Sequence, residues 1–217
     1  HPHIGTNKLP GIIASMRDAV IAAGGEVHFN HRVVDFLIEK NSIKGVACAN
    51  EKEFQADRLL LATGHSARDI FQLLQNKGVA IEAKPFAIGV RIEHQQSFID
   101  QAQYKVKKRP EYLPPASFSL VTQSNYQGVQ RGVFSFCMCP GGFIVPSATS
   151  PNQVVVNGMS PSRRDSKYAN SGIVVSIVEE DLARYKEFGA LAGMQLQEEL
   201  EQKAGSLVGG SQKAISQ

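Results

Sequence analysis

Apolar positions recur at three- and four-residue intervals through KLPGIIASMRDAVIAA, residues 8–23, where Ile12, Ile13, Met16, Ala19, Val20 and Ala23 share one stripe. That spacing predicts an amphipathic helix, capped by Thr6 or Asn7 and stopped by Gly24-Gly25. The pattern then shortens. EVHFNHRVVDFLIEK reads as a strand, and a turn at Asn41-Ser42 leads into IKGVACA. A second turn around Asn50-Glu51-Lys52 and the segment EFQADR complete an antiparallel meander. LLLATG, residues 59–64, is a short apolar run ending on glycine, the pattern of a strand buried on both faces. Ser66-Ala67-Arg68-Asp69 has capping-box spacing, with Asp in place of Glu. It opens a helix through Ile70, Phe71, Leu73 and Leu74 that Gly78 ends. Helix, strand, hairpin, buried strand and helix together predict an α/β unit.

After Lys84-Pro85 the period changes to two. FAIGVRIEH, SFSLVTQ, GVFSFCMC, GFIVPS, QVVVNG and GIVVSIV are strand candidates separated by Gly, Pro, Ser and Asn clusters. They predict a largely antiparallel sheet, followed by a helical tail from Glu179 to about Ala204. The expected fold class is therefore α/β plus α+β, divided near residue 82 into segments 1–82 and 83–217.

Composition narrows the setting. The hydrophobic fraction of 42% and charged fraction of 20% are those of an ordinary globular protein. No apolar stretch reaches the roughly 20 residues of a membrane span, and the polar opening HPHIGTNKLP is unlike a signal peptide. A formal charge of +3 does not argue for nucleic acid. Three cysteines cannot all pair, which favours a reducing, cytoplasmic setting. The chain opens on His1 rather than Met and closes on SQKAISQ, so a segment of a longer protein is expected. β-Rich pieces of that kind expose faces that pair with a second copy.

Candidate chemistry lies in four places. In RLLLATGHSARD a buried strand would end at Thr63-Gly64 and turn into a helix, the edge of an open α/β sheet where ligands bind. Glycine there permits close approach, and the helix start favours an anion. A strand–turn–helix corner without ligand is the equal alternative. Cys137 and Cys139 alternate along a strand, which predicts that their sulfurs share a face. They match neither a Cys-x-x-Cys redox pair nor paired zinc knuckles, so no metal site is expected. His28 and His31 are predicted to point to opposite strand faces, a poor metal pair. The basic run KVKKRP, residues 105–110, reads as a solvated loop, with contact to NADPH or RNA phosphates as the alternative.

Five stretches, HPHIGTNKL, ATGHSARD, KPFAIGVRIEH, FSFCMCPGG and VVVNGMS, together resemble the uncharacterised bacterial FAD-dependent dehydrogenases of the NAD(FAD)-utilising kind. These are two-dinucleotide-type flavoproteins. The resemblance implies part of an FAD/NAD(P)-binding α/β domain joined to an antiparallel β-rich substrate domain, and hydride transfer between a small-molecule substrate and flavin. It implies FAD as cofactor of the complete protein, with NAD(P)H as a further candidate. The family's GxGxxG turn, which takes the FAD pyrophosphate, does not occur in this chain. The chain thus looks like a central piece whose N- and C-terminal partners belong to the same protein, and the piece alone is expected to be inactive and not to retain FAD. By resemblance Thr63 and Gly64 fall beside the nucleotide, and Val33 at the adenine edge; His65, at the helix entry, is a cofactor candidate as a donor to a phosphate, with plain surface exposure as the commoner alternative. Gly5 and Thr6, in a loop before a helix whose amides could face the flavin or a substrate carboxylate, with a plain capping loop as the equal alternative, and Gly141 and Gly142, in a turn facing the flavin ring, are further cofactor candidates. Cys137, Cys139 and His3 are the catalytic candidates. A non-catalytic binding or structural module and an RNA-modifying flavoprotein relative remain the alternatives.

Overall fold

The computed structural model describes residues 3–209; the ends of both expected segments lie outside the described residues. The architecture is mixed α+β with three antiparallel sheets. In the first region α1 (Leu9–Ala22) precedes the meander β1 (Val33–Glu39), β2 (Ser42–Cys48) and β3 (Glu53–Gln55), and α2 (Arg68–Asn76) follows. Phe36, Val46 and Ile70 form the core between meander and α2, with Val33, Ile43, Phe54, Leu73 and Leu74 packed around them.

Several local expectations change. Helix α1 forms where predicted, but its N-cap is Lys8, without a side-chain cap bond. Thr6 and Asn7 turn instead to Ser160 and Ser162. No residue of α1 is buried. The first strand begins only at Val33, because a turn at Phe29-Asn30, with Asn30 at φ 60°, interrupts the apolar run. That turn also overrides the predicted separation of His28 and His31, whose rings lie 5.3 Å apart and both meet Phe54. The β1–β2 turn sits on Lys40-Asn41, both at positive φ, one residue earlier than expected. Ala67 rather than Ser66 is the N-cap of α2.

The largest correction concerns LLLATG. Residues 59–64 form no strand, and Leu60 is 90% exposed. A strand buried on both faces needs hydrogen-bonded neighbours on both edges, and no described residue pairs with this segment in a sheet. The expected α/β unit is therefore a meander with helices.

The second region is built on the sheet order β4-β9-β6-β5, from β4 (Phe86–Gln95), β5 (Val121–Tyr126), β6 (Val129–Cys139) and β9 (Tyr168–Ile177). β4 and β9 pair over ten residues, Phe86 with Ile177 through Gln95 with Tyr168. One face carries Phe86 and Ile177, which the tail covers. Leu182, Tyr185 and Ala192 pack on Ile177, and the Phe86 ring lies against Gly193. The tail itself is a 3-10 run, Glu179–Leu191, broken at Tyr185 and Gly189, and then α4 (Ala192–Leu207). The other face carries Gly89, Arg91, Gly172, Phe134 and Phe136. A hairpin of β7 (Phe143–Pro146) and β8 (Val156–Met159) packs beside β4, β6 and β9. Helix α3 (Gln96–Tyr104), which no pattern predicted, leaves β4 without a loop. Its Ile99 packs with Ala116 and Ala169.

Candidate functional site

Period-two alternation places Arg91, Gly172 and Phe136 in one row across β4, β9 and β6. Arg91 Nη1 donates to Asn170 Oδ1 at 2.6 Å and to the Cys137 carbonyl at 3.1 Å. Gly158 of β8 lies directly on this bond; a Cβ there would overlap Arg91 Nη1 and Asn170 Oδ1. The guanidinium is thus pinned between a buried asparagine and the hairpin, and Phe136, 55% exposed, lies in the same row beyond Gly172.

The two cysteines lie at a bulge. β6 pairs Phe136 with Gly172 and Cys139 with Asn170, so β6 spends one extra residue there. Cys137 takes the left-handed conformation at φ 47° and is exposed, whereas Cys139 is half-buried with Sγ 3.3 Å from the Cys137 carbonyl. The regular alternation that predicted a shared face is interrupted at this point, and both thiols are free. The turn that follows is crowded by the chain itself. Gly141, at φ 53°, lies against the Arg164 carbonyl, and Gly142 against that of Met159, so a Cβ at either would collide. Gly141 N donates to Gln96 Oε1 at 2.7 Å. Gln96 Nε2 in turn donates to Asp100 Oδ1 at 2.8 Å and to the Ala116 carbonyl at 3.0 Å. Asp100 accepts from Arg109 at 2.8 Å, which withdraws one cation of the KVKKRP run into the loop's own framework.

The N-terminal candidates reach the same place. Thr6 donates from both N and Oγ1 to the Ser160 carbonyl, and a His3 ring nitrogen lies 3.0 Å from the Pro161 carbonyl. Gly5, at φ 90°, sits against Ser162 where no side chain fits. Ser160 Oγ bonds the Pro140 carbonyl at 3.0 Å and so joins this loop to the glycine turn. Residues drawn from HPHIGTNKL, KPFAIGVRIEH, FSFCMCPGG and VVVNGMS therefore meet in one knot.

ATGHSARD stays apart. Gly64, at φ 73°, has nothing within 4 Å of where a Cβ would stand, and Thr63 and His65 are exposed. Ser66 Oγ pairs with His65 Nδ1 at 3.2 Å. Arg32 donates twice to Asp69, which holds that carboxyl below its ordinary range despite some desolvation. Val33 packs at the meander core. Among the described residues no three His, Cys, Asp or Glu side chains gather as a metal site requires, and no helix is long and apolar enough to cross a membrane.

Arg91, Gln96, Asn170 and Ser160 were not singled out by sequence. Arg91 had a signal: a cation between Val90 and Ile92 inside an apolar strand. Gln96 and Asn170 had none, since their roles depend on partners 45 and 79 residues away.

Residues 85–217 match the family described as FAD-dependent protein, C-terminal domain-like. Over 212 residues, 98% of the chain, the sequence is 39% identical to an uncharacterized protein of Clostridium beijerinckii (strain ATCC 51743 / NCIMB 8052). The chain spans 39% of that relative's length.

Proposed function

The chain belongs to the FAD-dependent protein family, C-terminal domain-like, through residues 85–217, and on that footing we propose that it is the central part of an FAD-dependent oxidoreductase. Residues 1–82 contribute to the cofactor side and residues 83–217 carry the substrate side. The observation that carries this reading is the knot around Arg91, built from four separated stretches on an otherwise open sheet face.

The residues present fit part of an FAD site. Gly64 leaves its backbone open to close approach, and Thr63 beside it offers a hydroxyl. No GxGxxG cradle for the pyrophosphate is present in the sequence, so the remaining contacts come from elsewhere in the complete protein. When bound, FAD supplies the acceptor for a hydride. The chain's own residues bind and orient. The row Arg91, Gly172, Phe136 is the floor of the proposed substrate side, with Gly172 itself buried and Phe136 exposed on it. Gln96 and Ser160 hold the glycine turn that edges this floor. NAD(P)H is the electron partner that the resemblance adds.

The test is an absorbance scan of the full-length protein. Flavin bands, lost together with the exposed corner in Gly64→Val, are expected. A colourless full-length protein that fails to take up added FAD would leave a binding module as the better reading.

A further inference from the structure

We propose that Arg91 is the binding residue for a carboxylate on the substrate; this rests on the substrate-face reading above. Arginine carries five N–H donors in a planar fork. Both hydrogens of Arg91 Nη1 are used within the chain, on Asn170 Oδ1 and the Cys137 carbonyl. Nε and Nη2 make no hydrogen bond among the described residues, and Arg91 has no ion pair there. Glu93, on the same face two residues along β4, is exposed and forms no ion pair with it. By contrast Arg131, on the same sheet, is neutralised by Asp181.

A half-buried guanidinium whose charge is unmatched, held in place through one nitrogen, presents a planar edge suited to a two-oxygen anion. The hold on Arg91 comes from the core. Asn170 is fully buried, its Nδ2 is closed to solvent, and its Oδ1 accepts from Arg91. Asn170 therefore serves the ligand by fixing the guanidinium and not by touching it. Arg91 supplies a single positive charge, and a monoanionic carboxylate matches it better than a phosphate dianion. Gly158 permits the arrangement, because any side chain there would push Arg91 from Asn170.

Phenylglyoxal labelling of Arg91 in the full-length protein, read by peptide mass spectrometry, tests this directly. Benzoate is the carboxylate probe, with inorganic phosphate and chloride at equal ionic strength as the other arms. Benzoate at about four times its Kd should slow labelling at Arg91 about fivefold, while phosphate and chloride leave the rate unchanged. No protection by benzoate, or equal protection by phosphate, overturns the proposal. Asn170→Asp places a carboxylate against Arg91 within the chain and should abolish benzoate protection. Arg91→Lys keeps the charge but loses the fork, and should weaken benzoate binding roughly tenfold by ligand NMR. An unchanged affinity in Arg91→Lys sinks the proposal even where Asn170→Asp fails to fold. Labelling and NMR both work without flavin, so a colourless protein would count against the cofactor reading and leave the Arg91 result legible.

Discussion

The glycine turn beside Arg91 and the corner at residues 59–64 use small and apolar residues in opposite ways. Around Arg91, Gly141, Gly142 and Gly158 all lie where a Cβ would strike the chain's own atoms, as Gly5 does where it meets the same loop. At the corner Gly64 faces open space, and Leu59, Leu60 and Leu61 are exposed. One site uses small residues to let the chain's own backbone close up. The other leaves apolar and glycine positions uncovered, as a surface does when its cover lies elsewhere.

Glycine substitution should break this contrast most sharply. Gly141→Val drives a side chain into the Arg164 carbonyl at φ 53°, and a loss of about 3–5 kcal/mol is expected in urea unfolding. Gly64→Ala should cost only about 1 kcal/mol, the strain of a left-handed Ala, while lowering flavin content in the full-length protein. Equal losses at the two sites would erase the distinction. Next comes Gln96→Leu, which strips Gly141 N of its acceptor and Asp100 of a donor inside the core. About 2–4 kcal/mol is expected from the groups left unpaired.

Leu60→Lys sharpens the comparison from the other side. In this chain alone it should shift stability by no more than about 0.5 kcal/mol, because Leu60 is 90% exposed. In the full-length protein a covered Leu60 predicts a loss of about 2 kcal/mol; the same small shift in both would show that nothing covers it. The smallest effect belongs to acid. Arg131 donates to Asp181 and holds its carboxyl below the ordinary range, and a bond from Val178 N adds to this against partial desolvation. A depressed folded pKa means stability that is present above about pH 4 and is lost as pH falls through the folded value. Asp181→Asn should flatten that acid dependence by about 1 kcal/mol, read from Tm between neutral and acid pH.

Much of the fold was legible because local pattern decides it. The meander, the strands after Pro85 and the glycine stops follow from periodicity and turn chemistry, and they appear in the structure with β1 starting seven residues late at Val33 and β5 displaced from SFSLVTQ to Val121–Tyr126. Helix α3 was not legible, since QSFIDQAQY follows a strand with no breaker and no capping side chain at Gln95. Residues 59–64 carry a buried-strand pattern, and a pattern describes the environment a segment is suited to, not the neighbours it finds. Site residues were readable where composition was odd, as at Cys137 or Gly141, and invisible where geometry alone makes them matter. Asn170 is an ordinary strand residue until Arg91 lies against it.

The clasp of Thr6 on Ser160 joins positions 154 residues apart. Contacts of such separation close late, because the chain must first surrender the freedom of the whole intervening loop. On that ground β4, β6 and β9 are expected to pair before the N-terminal loop arrives, and the edge of the Arg91 face to be finished last. A refolding experiment that follows the burial of Gly5 separately from sheet formation should see two phases, the slower one belonging to the clasp.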